Sequence, residues 1–242
     1  MLTATCRIVL TAPCIIALTL TRSIVLTPVL IAAVIGYLLG SLPFGYLVAR
    51  AKGVNIFEVG SKNPGATNVR RVLGSGPGNL VLFLDALKGA VASGTPLLWY
   101  WFRTGSISHE AEVVAIAGVV AALLGHSFSC FTHFKGGKGV ATGAGGFLVV
   151  FPVGMLIAIA VWCLTAFTTR YVSLASMLGA VSLPVTTVIM QRSIVLVTVT
   201  AIIALFVIFR HRANISRLFA GTESKIGQKA AAAPVSTAAP KT

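Results

Sequence analysis

Acidic residues are nearly missing from this 242-residue chain: 5 Asp and Glu stand against 19 Lys and Arg, and charged residues of both signs make up only 10%. Soluble domains carry about 25% charged residues, so there is too little polar surface here to coat a water-soluble globule. Disorder is excluded for most of the length, because disordered chains are polar. The four cysteines, Cys6, Cys14, Cys130 and Cys163, include no C-x-x-C pair, which removes the usual zinc and dithiol frameworks. The four histidines, His109, His126, His133 and His211, form no H-E-x-x-H motif, and none has an aspartate five positions later. The H-x4-D signature of one large acyltransferase class is therefore absent, and no metal site is expected. No internal repeat is visible.

Apolar sequence is what the chain has in excess. Hydrophobic residues reach 56% and mean hydropathy is +0.93, so the bulk must lie in lipid. Apolar runs cover about 24–49, 80–102, 112–128, 139–169, 172–190 and 193–209. Each can satisfy its backbone in hydrocarbon only as a helix. The run 139–169 would be about 46 Å long as one helix, and Phe151-Pro152-Val153-Gly154 interrupts it, so it divides into 139–151 and 154–169. The fold class expected is all-α: a polytopic integral membrane helix bundle with seven transmembrane helices over residues 24–226. An earlier apolar run, Ile8–Leu20, is too short to span the ~30 Å hydrocarbon core comfortably. Residues 1–23 read as an extension of uncertain role, and the Ala/Pro-rich stretch 227–242 as a disordered tail.

The net charge of +14 would suggest nucleic acid in a soluble protein. In a membrane protein it first suggests cationic loops held in the cytoplasm. With seven crossings, one side collects Arg50, Lys52, Lys62, Arg70 and Arg71, then Lys135 and Lys138, then Arg170, then Arg210, Arg212, Arg217, Lys225, Lys229 and Lys241. The opposite loops hold only Arg103 and Arg192. That asymmetry predicts an outside N-terminus and a cytoplasmic C-terminus, and membrane lipid in place of nucleic acid as the partner. Six crossings would put the basic tail and the basic first loop on opposite sides.

The cytoplasmic loops hold more than topology requires. Gly60-Ser61-Lys62-Asn63-Pro64-Gly65-Ala66-Thr67-Asn68-Val69-Arg70-Arg71 mixes hydroxyls, amides and glycines with arginines, which bind phosphate bidentately. Lys135-Gly136-Gly137-Lys138-Gly139 enters a helix as a phosphate cradle would, with backbone N–H groups and a cation facing an anion. It is no Walker A loop, since Thr132 stands where Gly is required and Gly139 where Ser or Thr is required. Ser173 and Ser176 read as helix caps or as substrate contacts. In the tail, His211, Asn214 and Ile215 share a helical face, as do Asn214, Arg217 and Leu218. Asp85 and Lys88, three apart within an apolar span, are expected to pair with each other, because unpaired charge there is costly.

At Gly40-Ser41-Leu42-Pro43-Phe44-Gly45, Gly60–Arg71, Asp85-Ala86-Leu87-Lys88-Gly89, Gly125–Thr142 and His211–Lys225, the sequence closely resembles the bacterial acyl-phosphate:glycerol-3-phosphate acyltransferase (PlsY) family. The resemblance spans roughly residues 28–226, in family order and spacing. It implies a seven-helix enzyme of the bacterial inner membrane with a cytoplasmic active site and neither a metal nor an organic cofactor. It implies transfer of a fatty acyl group from acyl phosphate to the 1-hydroxyl of sn-glycerol 3-phosphate, yielding lysophosphatidate and phosphate, with no obligate protein partner. Within it, Ser61, Arg71, Lys138, His211 and Asn214 are expected to be catalytic, and Asn63, Thr67, Gly136, Gly137 and Gly139 to hold substrate phosphate. The general base is either His211 or the departing phosphate. A transporter of a phosphorylated solute is the rival, and would place its polar groups near the bilayer midplane on broken helices.

Overall fold

The computed structural model describes the backbone of residues 12–228 and the side chains of residues 26–228; residues 1–11 and most of the Ala/Pro-rich tail lie outside the described residues. Every regular element among the described residues is helical. In chain order these are α1 (Ala12–Ser41), α2 (Phe44–Arg50), α3 (Ala66–Leu73), α4 (Ser75–Thr104), α5 (His109–Ser127), α6 (Val140–Val150), α7 (Pro152–Thr169), α8 (Val172–Ile189), α9 (Ile194–Arg210) and α10 (Arg212–Phe219), with a short 3-10 turn at Cys130–Thr132. Five spans are long and apolar enough to cross a bilayer, and α9 with α10, bent by 58°, adds a sixth.

Two boundaries depart from the sequence reading. The run 24–49 is not one helix: α1 ends at Ser41, and α2 begins after Leu42 and Pro43. Pro43 has no N–H to donate and disfavours helical geometry at Leu42. At its other end α1 continues without a break through residue 23 back to Ala12. The division of 139–169 holds, with Phe151 as the joint and Pro152 at the first turn of α7, a position where its missing N–H costs nothing. Helix α6 has only 11 residues, about 16 Å of rise.

Helix α5 is the axis of the bundle, and it is smooth enough for its neighbours to approach closely. A Cβ on Gly40 of α1 would strike the Ala122 carbonyl of α5, and one on Gly118 of α5 would strike the Ala92 carbonyl of α4. In lipid such backbone approach is itself the driving force, because tails are as apolar as side chains. The outer faces of the spans carry Phe102, Phe167, Ile194 and Leu205, all exposed.

Side-chain bonds tie the basic connections into one end of the bundle. Ser129 Oγ donates to the Ser41 carbonyl at 2.5 Å, and Tyr37 Oη to that of Phe128 at 2.8 Å. Arg170 and Ile226 exchange two bonds of 2.8 Å, one from the Ile226 N–H and one from the guanidinium. At the other end Arg192 meets Glu112 at 3.6 Å and lies 5.4 Å over the ring of Phe151.

Candidate active site

Where these connections converge, a cavity of about 1170 Å³ opens into the bundle. Its first wall is the segment 60–71. Buried Asn68 pins that loop: it accepts the Ser61 N–H at 2.8 Å and donates to the Val59 carbonyl at 3.1 Å. Asn63 Oδ1 accepts the Gly65 N–H at 2.9 Å, an Asx turn that starts α3. Thr67 and Arg71 then lie four apart on one helical face, and both line the cavity with Ser61 and Asn63. Burial lowers the Arg71 pKa, with Glu223 opposing and Arg217 adding to the shift.

The second wall is the entrance to α6. Gly139 takes φ +78°, a left-handed turn that glycine adopts without strain, and a Cβ there would sit 2.9 Å from Leu123 Cγ. It turns Lys138 inward, where Nζ donates to Asn214 Oδ1. Burial, helped by the charges of Arg217, Arg210 and Arg71 and opposed by Glu223, lowers the Lys138 pKa to about 8.

The third and fourth walls come from α8 and the bend between α9 and α10. His211 Nδ1 lies 2.7 Å from the Val207 carbonyl. A carbonyl can only accept, so Nδ1 carries the proton and Nε2 keeps a lone pair. Burial first, then the charge of Lys138, pushes the His211 pKa down to about 4. Glu223 closes the ring: it accepts from Asn214 Nδ2 at 2.6 Å, Ser173 Oγ at 2.8 Å and Arg217 Nε at 2.7 Å. Burial raises its pKa, but these three bonds and the Arg217 charge outweigh burial and lower it overall.

The cavity thus brings together Ser61, Asn63, Thr67, Arg71, Lys138, Gly139, Ser173, Ser176, His211 and Asn214, from segments up to 153 positions apart in the chain. Two expected phosphate ligands are not among them. Gly136 and Gly137 pack against His126; the Gly137 N–H donates to the His126 carbonyl at 3.1 Å. Their own carbonyls accept from Arg210 Nη2 at 3.1 and 2.6 Å. They form the turn that aims Lys138, and both carbonyls and the Gly137 N–H are spent in holding it. The capping role for Ser173 and Ser176 also fails, since α8 starts at Tyr171 with no side-chain cap. Ser176 Oγ instead accepts from Trp162 Nε1 at 3.2 Å and donates to the Val172 carbonyl at 2.8 Å. Asp85 and Lys88 do pair, at 2.8 Å, and His126 Nδ1 joins Asp85 at 3.4 Å.

Sequence reasoning missed Glu223, Asn68, Trp162 and the contact between His126 and Asp85. Glu223 had a signal, as one of 5 acidic residues in the chain and the only one in the basic tail. Asn68 acts within its own loop, 7 and 9 positions from its partners, whereas Trp162 with Ser176 and His126 with Asp85 join separate helices, which no local pattern announces.

Comparison with known proteins places the chain in a family. Residues 30–221 match the family model described as glycerol-3-phosphate acyltransferase. A glycerol-3-phosphate acyltransferase of Fusobacterium nucleatum is 46% identical over 193 residues, covering 79% of this chain and 95% of that protein. One from Desulforamulus reducens is 44% identical over 197 residues, covering 80% and 92%. Crystal structures of PlsY (YgiH), an integral membrane glycerol 3-phosphate acyltransferase, superpose at 38% identity. The glycerol 3-phosphate form gives a TM-score of 0.73 over 82% of this chain and 96% of that one. The lysophosphatidic acid form gives 0.71 over 83% and 96%. With four fifths of its length shared at this identity, the chain belongs to the glycerol-3-phosphate acyltransferase family.

Proposed function

We propose that this protein transfers a fatty acyl group from acyl phosphate to the 1-hydroxyl of sn-glycerol 3-phosphate, releasing lysophosphatidate and phosphate. The observation that carries this reading is the two-part character of one cavity. One end is ringed by Arg71, Lys138, Arg217, His211 and Asn214; below it the lining is Leu123, Phe147, Met155, Ala158, Leu183 and Ile203. Such a space fits an amphiphile whose head is an anion and whose tail is a chain. Ile159 and Cys163 line it on α7 while remaining exposed, so a chain can enter from the lipid.

Acyl phosphate is already activated, so positioning and electrostatics suffice and no acyl-enzyme is needed. Lys138, Arg71 and the open N–H groups at Gly139 and the start of α6 grip the phosphate of the donor. Ser61, Asn63 and Thr67 complete its contacts, and His211 and Asn214 orient glycerol 3-phosphate. The acceptor hydroxyl attacks the acyl carbon, the C–O bond to phosphate breaks, and the hydroxyl proton leaves with the phosphate. His211 is the poorer base at a pKa of about 4, whereas even an esterified phosphate has a second pKa of about 6. Nε2 of His211 therefore serves to accept a hydrogen bond from the hydroxyl and align it.

The same reading takes seven crossings. Helix α6 starts beside Lys138 and its joint Phe151 lies under Arg192, while α7 returns to Arg170; this supports α6 as a short crossing in spite of its length. The basic end, with the C-terminal segment, faces the cytoplasm of a bacterial inner membrane, and the N-terminus lies outside. The gathering of polar groups at one end works against a transporter. Purified protein given palmitoyl phosphate and glycerol 3-phosphate should form lysophosphatidate, and should not with palmitoyl-CoA. Uptake of a phosphorylated solute into liposomes with no acylation would overturn the reading.

A further inference from the structure

The apolar part of the cavity ends on a layer of large, packed residues. Below the polar ring the lining takes small residues from three helices, Gly143 and Ala144 on α6, Ala158 on α7, and Gly179 and Ala180 on α8, beside Leu123 on α5, Trp162 on α7 and Val207 on α9. A Cβ added at Gly179 would lie 3.1 Å from the Ala158 carbonyl, so α7 and α8 are close-packed at this level. Deeper in the bundle the lining becomes Phe147, Met155, Leu183 and Ile203, one large residue from each of four helices. All four are buried and belong to one packed cluster. The next members of that cluster, Phe151 and Leu196, are also buried but do not line the cavity. The space therefore ends on a closed apolar layer.

We infer that Phe147, Met155, Leu183 and Ile203 set the length of fatty chain this protein transfers, by forming the floor against which the chain's methyl end stops. The inference rests on the acyl-phosphate reading above. A chain reaching the floor fills the pit. A longer one must displace close-packed side chains, which do not yield without cost. A shorter one leaves a void. Because the chain is drawn from lipid, transfer from water contributes nothing to the choice, and fit against the floor decides it.

The test is a donor series of saturated acyl phosphates from dodecanoyl to icosanoyl, with kcat/KM measured for each in detergent-purified protein. Met155→Ala deepens the pit and Ala158→Leu blocks it one turn higher. Met155→Ala should move the preferred donor to a longer chain and Ala158→Leu to a shorter one. The ratio of long-chain to short-chain kcat/KM should change on the order of tenfold in each direction, as for a misfit methylene in an enclosed pocket. The KM for glycerol 3-phosphate should stay that of the parent. Should Met155→Ala fail to accumulate, Ile203→Ala opens the same floor from α9 and carries the same expectation. An unchanged donor profile in variants that turn over normally would overturn the floor while leaving the acyltransferase reading intact. A parent protein inert toward every acyl phosphate would instead remove that reading, and the floor with it.

Discussion

Two groups of ionised side chains are buried in this bundle, and their charge balances are opposite. Asp85 and Lys88 form a balanced pair: they are each 3% exposed by side chain and 2.8 Å apart, the His126 ring lies 3.4 Å from the same carboxylate, and Lys88 spends a further bond of 2.9 Å on the Leu42 carbonyl. The charges of Asp85 and Lys88 cancel, although Asp85 and His126 also line the cavity. Around Glu223, one carboxylate meets Arg217 directly and the fields of Lys138 and Arg71. Positive charge is left over there, and it faces the cavity. Burial lowers the Lys138 pKa first, and the charges of Arg217, Arg210 and Arg71 lower it further against the opposing charge of Glu223. A balanced buried set holds helices together, whereas an unbalanced one is stabilised by a ligand of the missing sign.

Breaking the balanced set should produce the largest effect, and it should fall on stability. Asp85→Ala leaves Lys88 buried without its counter-ion, a loss of about 3–5 kcal/mol by the general behaviour of such pairs. The melting temperature in detergent should drop sharply. The double variant Asp85→Ala/Lys88→Met should recover most of it, because an apolar replacement of both partners is nearly neutral. A single variant that melts with the parent would dissolve the distinction between the two sets.

Breaking the surplus set should instead cost activity. Lys138→Ala removes a charge aimed at the transferring group, and loss of such a contact lowers kcat about 10²- to 10³-fold. Its melting temperature should not fall, since the side chain removed is a desolvated cation. Near-normal turnover would take Lys138 out of the mechanism. Arg71→Ala should behave in the same sense and serves as the check that the effect belongs to the cluster.

This contrast was only half legible in the sequence. The spacing of Asp85 and Lys88 sufficed to expect their pairing, because a three-residue interval in an apolar run leaves few other partners. The gathering of Arg71, Lys138 and His211 on one side followed from charge asymmetry between loops, which acts over whole segments and tolerates errors of a few residues at each boundary. What failed were statements about where a particular backbone group points. Gly136 and Gly137 have the composition of a phosphate cradle, yet neither lines the cavity, the Gly137 N–H goes to the His126 carbonyl, and Arg210, 74 and 73 positions away, takes up their carbonyls. Ser173 has the position of a cap, yet its hydroxyl goes to Glu223, 50 positions on. Leu42 and Pro43 stop α1 within a run whose hydropathy continues past them. Hydropathy and charge decide which segments share an environment, while bonds across helices decide which atom is spent on structure and which is free for a ligand.

Arg210 sharpens the comparison at a smaller magnitude, because it is a charge used for structure within the surplus region. One guanidinium nitrogen holds both glycine carbonyls, and the group lies 5.1 Å over the ring of Phe128. Arg210→Lys keeps the charge and loses the planar fork. The turn that aims Lys138 should loosen, with about a tenfold fall in kcat/KM, equivalent to about 1.4 kcal/mol, appearing mainly in KM for the phosphorylated substrates. Equal losses in Arg210→Lys and Lys138→Ala would mean that Arg210 meets substrate itself.

The smallest effect expected is one of pH, and its sign separates loss of charge from loss of fold. Lys138 has its pKa lowered from 10.5 to about 8 by burial, so in the free protein its charge is complete below pH 8 and lost above it. Anion capture needs the charged form, so kcat/KM should be halved near pH 8 and fall about tenfold per further unit, while kcat, measured with phosphate bound beside the amine, should fall only at higher pH. His211, at about 4, is neutral throughout this range and adds no acid limb near neutrality. Stability moves the other way. Between about 8 and 10.5 the unfolded chain holds the Lys138 proton and the folded one does not, so this residue makes the fold more stable as pH rises. Falling kcat/KM with a steady or rising melting temperature is therefore the signature of Lys138 titrating. Lys138→Arg, whose guanidinium stays charged, should remove the alkaline limb whatever its turnover. A limb that persists at the same pH in Lys138→Arg would assign the titration to another group, and would leave Lys138 as one cation among several instead of the one that burial has tuned.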